Sequence, residues 1–136
     1  MSTKIKSIAV IIARILLGLI YFVFGLNFFL HFLPTPPPSG GASGAFAGGL
    51  FQAGYFFPML KGLEVVFGAL LLVGVFVPLS LIVLMPISLN ILLFHSFLAT
   101  DSVGMSVVII TLHVFLAWVY RDYFKALFAS KALANL

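Results

Sequence analysis

Residues 79–99 read LSLIVLMPISLNILLFHSFLA, a stretch without lysine, arginine, aspartate or glutamate. A helix needs about 20 predominantly apolar residues to cross the hydrocarbon of a bilayer, because each residue rises about 1.5 Å. Three further stretches meet or approach this length, at about 8–33, 59–77 and 103–120. Unpaired backbone groups are costly in lipid, so such spans should be helical. We therefore predict one all-α domain, 1–136, that forms an integral membrane four-helix bundle.

The composition agrees with a membrane protein and excludes several other classes. Of the 136 residues, 63% are hydrophobic and only 7% are charged, and the mean hydropathy is +1.29. A soluble domain carries about 25% charged residues, so a soluble enzyme and a disordered regulator are excluded. The net charge is +4, but the seven basic residues are scattered between apolar runs, which excludes a nucleic-acid partner. The predicted environment is the lipid bilayer.

The basic residues predict how the chain is oriented. Lys4 and Lys6 precede the first span, and Arg121, Lys125 and Lys131 follow the fourth. The connection between the first two spans has no lysine or arginine, and the turn between the last two has neither. Cytoplasmic loops carry the excess of these residues, so both termini are predicted to be cytoplasmic. An even number of spans agrees with that orientation.

The connections between the spans have distinct compositions. Pro78 predicts a very short turn between the second and third spans, and residues 100–102 predict a turn with a helix N-cap before the fourth. The outer connection, residues 34–58, begins with a proline-rich piece, residues 34–38, that should be extended. The Gly/Ala-rich remainder fits either a flexible linker or a short interfacial or packed helix. We favour the short helix, because small residues allow close packing in membranes.

Eight polar side chains interrupt the spans, and each needs a partner or a water-filled cavity at that depth. Counting depth along each helix places seven of them in the outer half of the membrane, whereas Arg14 lies toward the cytoplasm. Lys61 and Glu64 are three residues apart, so they share a helix face and can neutralise each other. Gly68 leaves room for a neighbouring helix at that face. The candidates for lining a polar cavity or binding a ligand are Arg14, Asn27, His31, Lys61, Glu64, Asn90, His95 and His113.

Two interpretations fit these polar residues: hydrogen bonds that hold the helices together, or a ligand-binding or proton-binding cavity open to the outside. Asn27 and His31, four residues apart, are predicted to share a helix face. Arg14 shares a face with Gly18, Tyr21 and Gly25, and a structural role is favoured for it. Its guanidinium could reach lipid phosphates or pair with Asp122.

No catalytic or metal-binding motif is present in the sequence. The histidine spacings match neither HExxH nor the Glu-x-x-His of di-iron bundles. The chain has no cysteine, so thiolate chemistry is excluded. We predict no catalytic residues, no metal and no resident cofactor, although a bound quinone remains compatible with the sequence.

Two strings carry a resemblance to a known family: GYFFPMLKGLEV at 54–65 and PISLNILLFH at 86–95. They resemble the second-helix entrance and the third helix of the DoxX family of small bacterial membrane proteins. Arg14 followed by Gly18 and Gly25 also fits that family's pattern. The resemblance implies a four-span protein of the bacterial inner membrane. That family is linked to a terminal quinol oxidase and to thiosulfate:quinone oxidation, and it includes accessory proteins. The positions that match its pattern are Arg14, Lys61, Glu64, Asn90 and His95.

Three functions are compatible with these observations. The favoured hypothesis is a non-catalytic subunit or accessory protein that binds a hydrophobic partner or a lipid-like or quinone-like molecule. The alternatives are a small-molecule or proton-coupled transporter using Glu64 and His95, and the membrane subunit of a quinone-linked oxidoreductase. A membrane protein partner and a homo-oligomer are both expected forms of association, because small bundles bury packing stripes against other helices.

Overall fold

The computed structural model describes residues 3–34, 37 and 40–135. Most of these residues are helical. A 3₁₀ turn, Thr100–Ser102, precedes the last α-helix, and a 3₁₀ helix, Arg121–Phe128, follows it. The α-helices among the described residues are α1 (Thr3–Leu30), α2 (Gly41–Gln52), α3 (Phe56–Val73), α4 (Val77–Phe97) and α5 (Val103–Val119).

Four helical segments are long and apolar enough to cross a membrane: α1, α3, α4 and Thr100–Val119. Their outer faces expose large apolar side chains such as Ile12 and Val66. Fewer apolar residues are buried in the core than are exposed on these faces; the core includes Leu17, Leu71 and Leu84, which are fully buried. Exposed apolar faces of this extent are typical of helices surrounded by lipid. The predicted all-α four-helix membrane bundle is therefore confirmed.

The first two spans have different ends from those predicted. Helix α1 begins at Thr3 and ends at Leu30, because His31 adopts the left-handed conformation with φ 53°. Helix α3 begins at Phe56 and includes Pro58 in its first turn, where a missing N–H removes no helical hydrogen bond. It ends at Val73, because the next residue, Gly74, has φ 80°; the Gly74 N–H donates to the Leu70 carbonyl. A residue with positive φ thus ends both helices.

The prediction that Pro78 breaks the chain into a turn is wrong. Helix α4 begins at Val77, so Pro78 lies in its first turn, where proline is tolerated. The actual turn is residues 74–76, and Phe76 has a left-handed backbone with φ 54°. Pro86 lies inside the same helix without ending it.

The turn at residues 100–102 is present, but the predicted side-chain cap is not. Ser102 occupies the N-cap position of α5 without a capping hydrogen bond. Its hydroxyl lies near the Ala99 carbonyl and the His95 ring instead. The prediction of extended chain at 34–38 falls largely on residues outside the described part of the structure.

The short helix predicted in the outer connection is confirmed as α2. It packs near the end of the bundle opposite the chain termini. Phe46 lies 5.8 Å from Phe94 of α4, and Phe51 lies 6.4 Å from Phe57 of α3, measured between ring centroids. Helix α2 is thus held beside α3 and α4 by aromatic contacts.

Helices α1 and α3 pack with their backbones in close contact at three glycines. A Cβ atom added at Gly68 would lie 2.7 Å from the backbone nitrogen of Phe22. One added at Gly18 would lie 3.0 Å from the Gly68 carbonyl oxygen, and one at Gly25 would lie 3.0 Å from Val65. Small residues at a helix interface allow this approach in membranes. The predicted role of Gly68 in admitting a neighbouring helix is confirmed.

We expect Gly68→Ala to destabilise the protein, because the new methyl group meets the backbone of α1 rather than a flexible side chain. Overpacking of this kind costs about 1–3 kcal/mol. The free energy of unfolding can be measured by denaturant titration in detergent micelles. Gly62→Ala is the matched control in the same helix, because nothing lies within 4 Å of its added Cβ. Equal effects of the two substitutions would contradict the close contact.

Candidate functional site

A cavity of about 380 Å³ lies between α2, α3 and α4, near the end of the bundle opposite the termini. Its walls are mainly apolar and include Phe46, Leu50, Phe57, Ile91 and Phe94. Its size is within the range of small-molecule sites, which are typically about 300–1,000 Å³ and apolar with a few polar groups. The polar residues that line it are Lys61, Glu64, Asn90 and His95.

Lys61 and Glu64 form an ion pair at the cavity wall. The Lys61 Nζ lies 3.2 Å from Oε2 of Glu64, and the two residues are one helical turn apart. The side chain of Glu64 is only 4% exposed, whereas that of Lys61 is 23% exposed. The predicted neutralisation is thus confirmed. An ammonium group has three N–H donors, so Lys61 keeps donors beyond those that face Glu64.

Asn90 supplies an amide that is free to bind an occupant. It lies on α4, lines the cavity and is exposed, so the cavity opens toward the outside of the bundle. Its side chain forms no hydrogen bond with any other residue that the structure describes. The amide can therefore donate and accept at the same site.

His95 is tied to the turn between α4 and α5. Its Nδ1 lies 2.9 Å from the Ser102 hydroxyl and 3.4 Å from the Ala99 carbonyl, and that hydroxyl lies 3.3 Å from the same carbonyl. A carbonyl only accepts, so all three contacts are satisfied when Nδ1–H donates and the hydroxyl donates to Ala99. In the neutral ring with this tautomer, the other nitrogen, Nε2, is an acceptor without a hydrogen-bond partner among the described residues. Sequence reasoning missed this role of Ser102.

His113 belongs to a separate hydrogen-bonded network that crosses the bundle. Tyr21 of α1 bonds to Ser88 of α4, and the Ser88 hydroxyl lies 2.7 Å from Nδ1 of His113 in α5. Its Nε2 lies 2.8 Å from the Leu81 carbonyl. All three side chains are fully buried, or nearly so. The network joins three spans and does not line the cavity.

The direction of these hydrogen bonds follows from the carbonyl at the end of the network. The Leu81 oxygen only accepts, so Nε2–H of His113 donates to it, and neutral His113 accepts at Nδ1. Ser88 therefore donates to His113, and Tyr21 donates to Ser88. Sequence reasoning missed Tyr21 and Ser88 as partners. The available signal was the placement of Tyr21 on the same face as Gly18 and Gly25.

Arg14 has a partner other than the two predicted for it. Its guanidinium Nη1 donates to the Leu71 carbonyl and, at 3.0 Å, to the Leu72 carbonyl. These carbonyls are in the last turn of α3, where they lack partners within the helix and attract a cation. The predicted pairing with Asp122 is therefore wrong, because Asp122 pairs with Lys125. The approach of Arg14 to lipid phosphates and its structural role stay predictions.

Asp122 pairs with its own neighbour in the 3₁₀ helix. Its Oδ1 lies 2.9 Å from Nζ of Lys125, one turn away. The hydrogen bond from Lys125, together with its charge, holds the pKa of Asp122 below the ordinary value. Both side chains are exposed, so the pair contributes little to stability.

Asn27 and His31 do not share a helix face, contrary to prediction. Asn27 Oδ1 accepts a hydrogen bond of 2.7 Å from the backbone N–H of Leu33, beyond the end of α1. His31 is exposed and has a left-handed backbone, so it lies just beyond the end of this helix. Neither residue lines the cavity. Of the eight candidates, four gather at the cavity and four, including Arg14 and His113, lie elsewhere.

Among the residues that the structure describes, no three histidine, aspartate or glutamate side chains lie close enough together to hold a metal ion.

No family model matches this sequence, and neither a curated protein nor a solved structure matches the chain.

We expect Ser88→Ala to destabilise the bundle more than Tyr21→Phe does. The alanine leaves the Tyr21 hydroxyl and the His113 Nδ1 buried without partners, at a cost of about 1–3 kcal/mol for each group. The phenylalanine removes one donor and leaves the bond from Ser88 to His113 intact. The measurement is the free energy of unfolding in detergent.

The double variant Tyr21→Phe/Ser88→Ala provides the control. It removes the hydroxyl that Ser88→Ala leaves unpaired, so its loss of stability should not exceed that of Ser88→Ala alone. Losses that add, within the usual scatter of about 0.3–0.5 kcal/mol for independent sites, would show that the two residues are not coupled.

Proposed function

We propose that this chain is a non-catalytic subunit or accessory protein of the bacterial inner membrane that binds a lipid-like or quinone-like molecule in the cavity between α2, α3 and α4. One observation carries the proposal: the cavity is apolar except for an ion pair, a free amide and a free ring nitrogen. This combination favours a hydrophobic molecule with a small polar head.

The polar groups suit a head that both accepts and donates hydrogen bonds. A quinone carbonyl can accept from Lys61 or Asn90, which have free N–H donors. A quinol hydroxyl can donate to Glu64 or to Nε2 of His95. The same site therefore accommodates both forms of a quinone. An apolar tail can leave the cavity beside Asn90, where it opens to the outside of the bundle.

The resemblance to the DoxX family supports this proposal on independent grounds. Four of the five positions that match the family pattern, Lys61, Glu64, Asn90 and His95, line the same cavity. Since that family is linked to quinone-dependent oxidation, the resemblance and the chemistry of the cavity favour the same class of ligand. An accessory role fits a chain in which we identify no catalytic group.

The lysines and arginines near both ends of the chain favour an orientation with both termini in the cytoplasm. This orientation would place the cavity in the outer half of the membrane. Lys4 and Lys6 start α1, and Arg121 and Lys125 follow α5, at the end of the bundle away from α2. The positive-inside bias favours this end for the cytoplasm.

Reporter fusions test the orientation directly. We expect a phosphatase reporter to be active when it is inserted at Gly40 or fused after Asp101, and inactive when it is fused after Lys131. A cytoplasm-active reporter at the same sites should give the opposite pattern. Activity of one reporter at all three sites would contradict the four-span orientation.

Binding can be measured with decylubiquinone and the full chain in detergent, by native mass spectrometry and by titration. We expect Asn90→Leu to weaken binding about tenfold, since the ligand loses one hydrogen bond of about 1.4 kcal/mol. No other side chain that the structure describes loses a partner, because Asn90 forms no hydrogen bond with one. Lys61→Met/Glu64→Gln should weaken it at least as much. This pair of substitutions removes both charges together, so no isolated charge is left in the bundle.

Thr111→Val is the matched control, because Thr111 is an exposed polar residue of α5 that does not line the cavity. Its binding should equal that of the unmodified chain. Unchanged binding in the cavity variants would contradict the proposed site. Flux of protons across proteoliposomes that depends on Glu64 would favour the transporter alternative instead.

A further inference from the structure

A second groove, of about 760 Å³, lies at the other end of the bundle. It is bounded by the first two turns of α1, the last turns of α5 and the start of the 3₁₀ helix Arg121–Phe128. It shares no lining residue with the cavity described above. The groove therefore requires its own explanation, independent of the proposed function.

The charged residues that line this groove are both basic, namely Lys6 and Arg121. The Arg121 Cζ lies 4.2 Å from the centroid of the Trp118 ring, and Nη1 donates a 2.8 Å hydrogen bond to the Trp118 carbonyl. These contacts hold the guanidinium in place while most of its N–H donors stay free. Within the described residues, no carboxylate forms a salt bridge with Lys6 or Arg121, and the nearby Asp122 pairs with Lys125.

Along the helix axes, the rest of the groove changes from tryptophan and tyrosine, which carry a polar atom, to wholly apolar side chains. Trp118, Tyr120 and Tyr123 lie at the end near the two cations. Val10 and Phe115 lie farther along α1 and α5, toward the middle of the bundle. Tryptophan and tyrosine are enriched at the level of lipid headgroups, and apolar residues occupy the hydrocarbon. The groove thus presents positive charge at headgroup level and an apolar surface below it.

We propose that this groove binds one anionic phospholipid, with its phosphate between Lys6 and Arg121 and an acyl chain along Val10 and Phe115. A guanidinium and an ammonium together match a phosphate diester in charge and in hydrogen-bond donors. Basic pockets between spans at the cytoplasmic surface bind acidic lipid heads. A zwitterionic lipid would bring its own cation beside Lys6 and Arg121, so an anionic head such as phosphatidylglycerol is preferred.

The test uses the full chain in detergent with added phosphatidylglycerol or phosphatidylcholine of identical acyl chains. Bound lipid is counted by native mass spectrometry. We expect retention of phosphatidylglycerol over phosphatidylcholine, and a loss of about fivefold in its affinity for Lys6→Gln and for Arg121→Gln, as one interfacial charge is removed in each. Both residues are exposed, so both variants should fold, which size-exclusion chromatography verifies.

Lys4→Gln is the matched control. Lys4 carries the same charge on the same helix two residues earlier, is exposed, and does not line the groove. Its affinity for phosphatidylglycerol should be unchanged. Equal losses for Lys4→Gln and Lys6→Gln would show a diffuse charge effect and overturn the site. Equal retention of the two lipids, or displacement of phosphatidylglycerol by millimolar inorganic phosphate, would overturn it as well.

Discussion

The close contact between α1 and α3 determines where several polar groups of this bundle lie. Without side chains at Gly18, Gly25 and Gly68, the two backbones approach each other directly. An added Cβ at Gly25 would lie 3.1 Å from the Cβ of Glu64, so this contact sets the position of the buried carboxylate. The same approach brings the Arg14 guanidinium to the last carbonyls of α3. The three glycines thus allow a helix contact that fixes the position of one cavity wall and of the end of α3.

The spans carry two kinds of polar groups, and their burial and hydrogen bonds distinguish them. Tyr21, Ser88 and His113 satisfy one another and end on a backbone carbonyl, so this network is closed and adds connections between three spans. The groups at the cavity are satisfied only in part, since Asn90 and one nitrogen of His95 have no partner among the described residues. Satisfied networks hold helices together, whereas unsatisfied groups beside a cavity are available to a ligand.

Hydrophobicity and local residue spacing predicted those features of the structure that depend on a single helix. The four spans follow from apolar length, and the Lys61–Glu64 pair follows from an i, i+3 spacing. Partners from other helices were not predictable in this way, because nothing in the sequence near His113 indicates Ser88 or the Leu81 carbonyl. The end of α1 was missed because a left-handed histidine is uncommon and leaves no compositional signal. Pro78 was misread because proline suits a first helical turn as well as a loop.

The way in which α2 is attached has a consequence for access to the cavity. Within the described part of the chain, the hydrogen bonds of α2 are all local, and its contacts with α3 and α4 include ring pairs such as Phe46 with Phe94. A helix pairs its own backbone groups, so a displacement of α2 would break no hydrogen bond with another helix and would leave no amide unpaired in lipid. The wall that α2 contributes to the cavity is therefore held by contacts between apolar side chains such as Phe46 and Phe94, and not by polar contacts with α3 or α4.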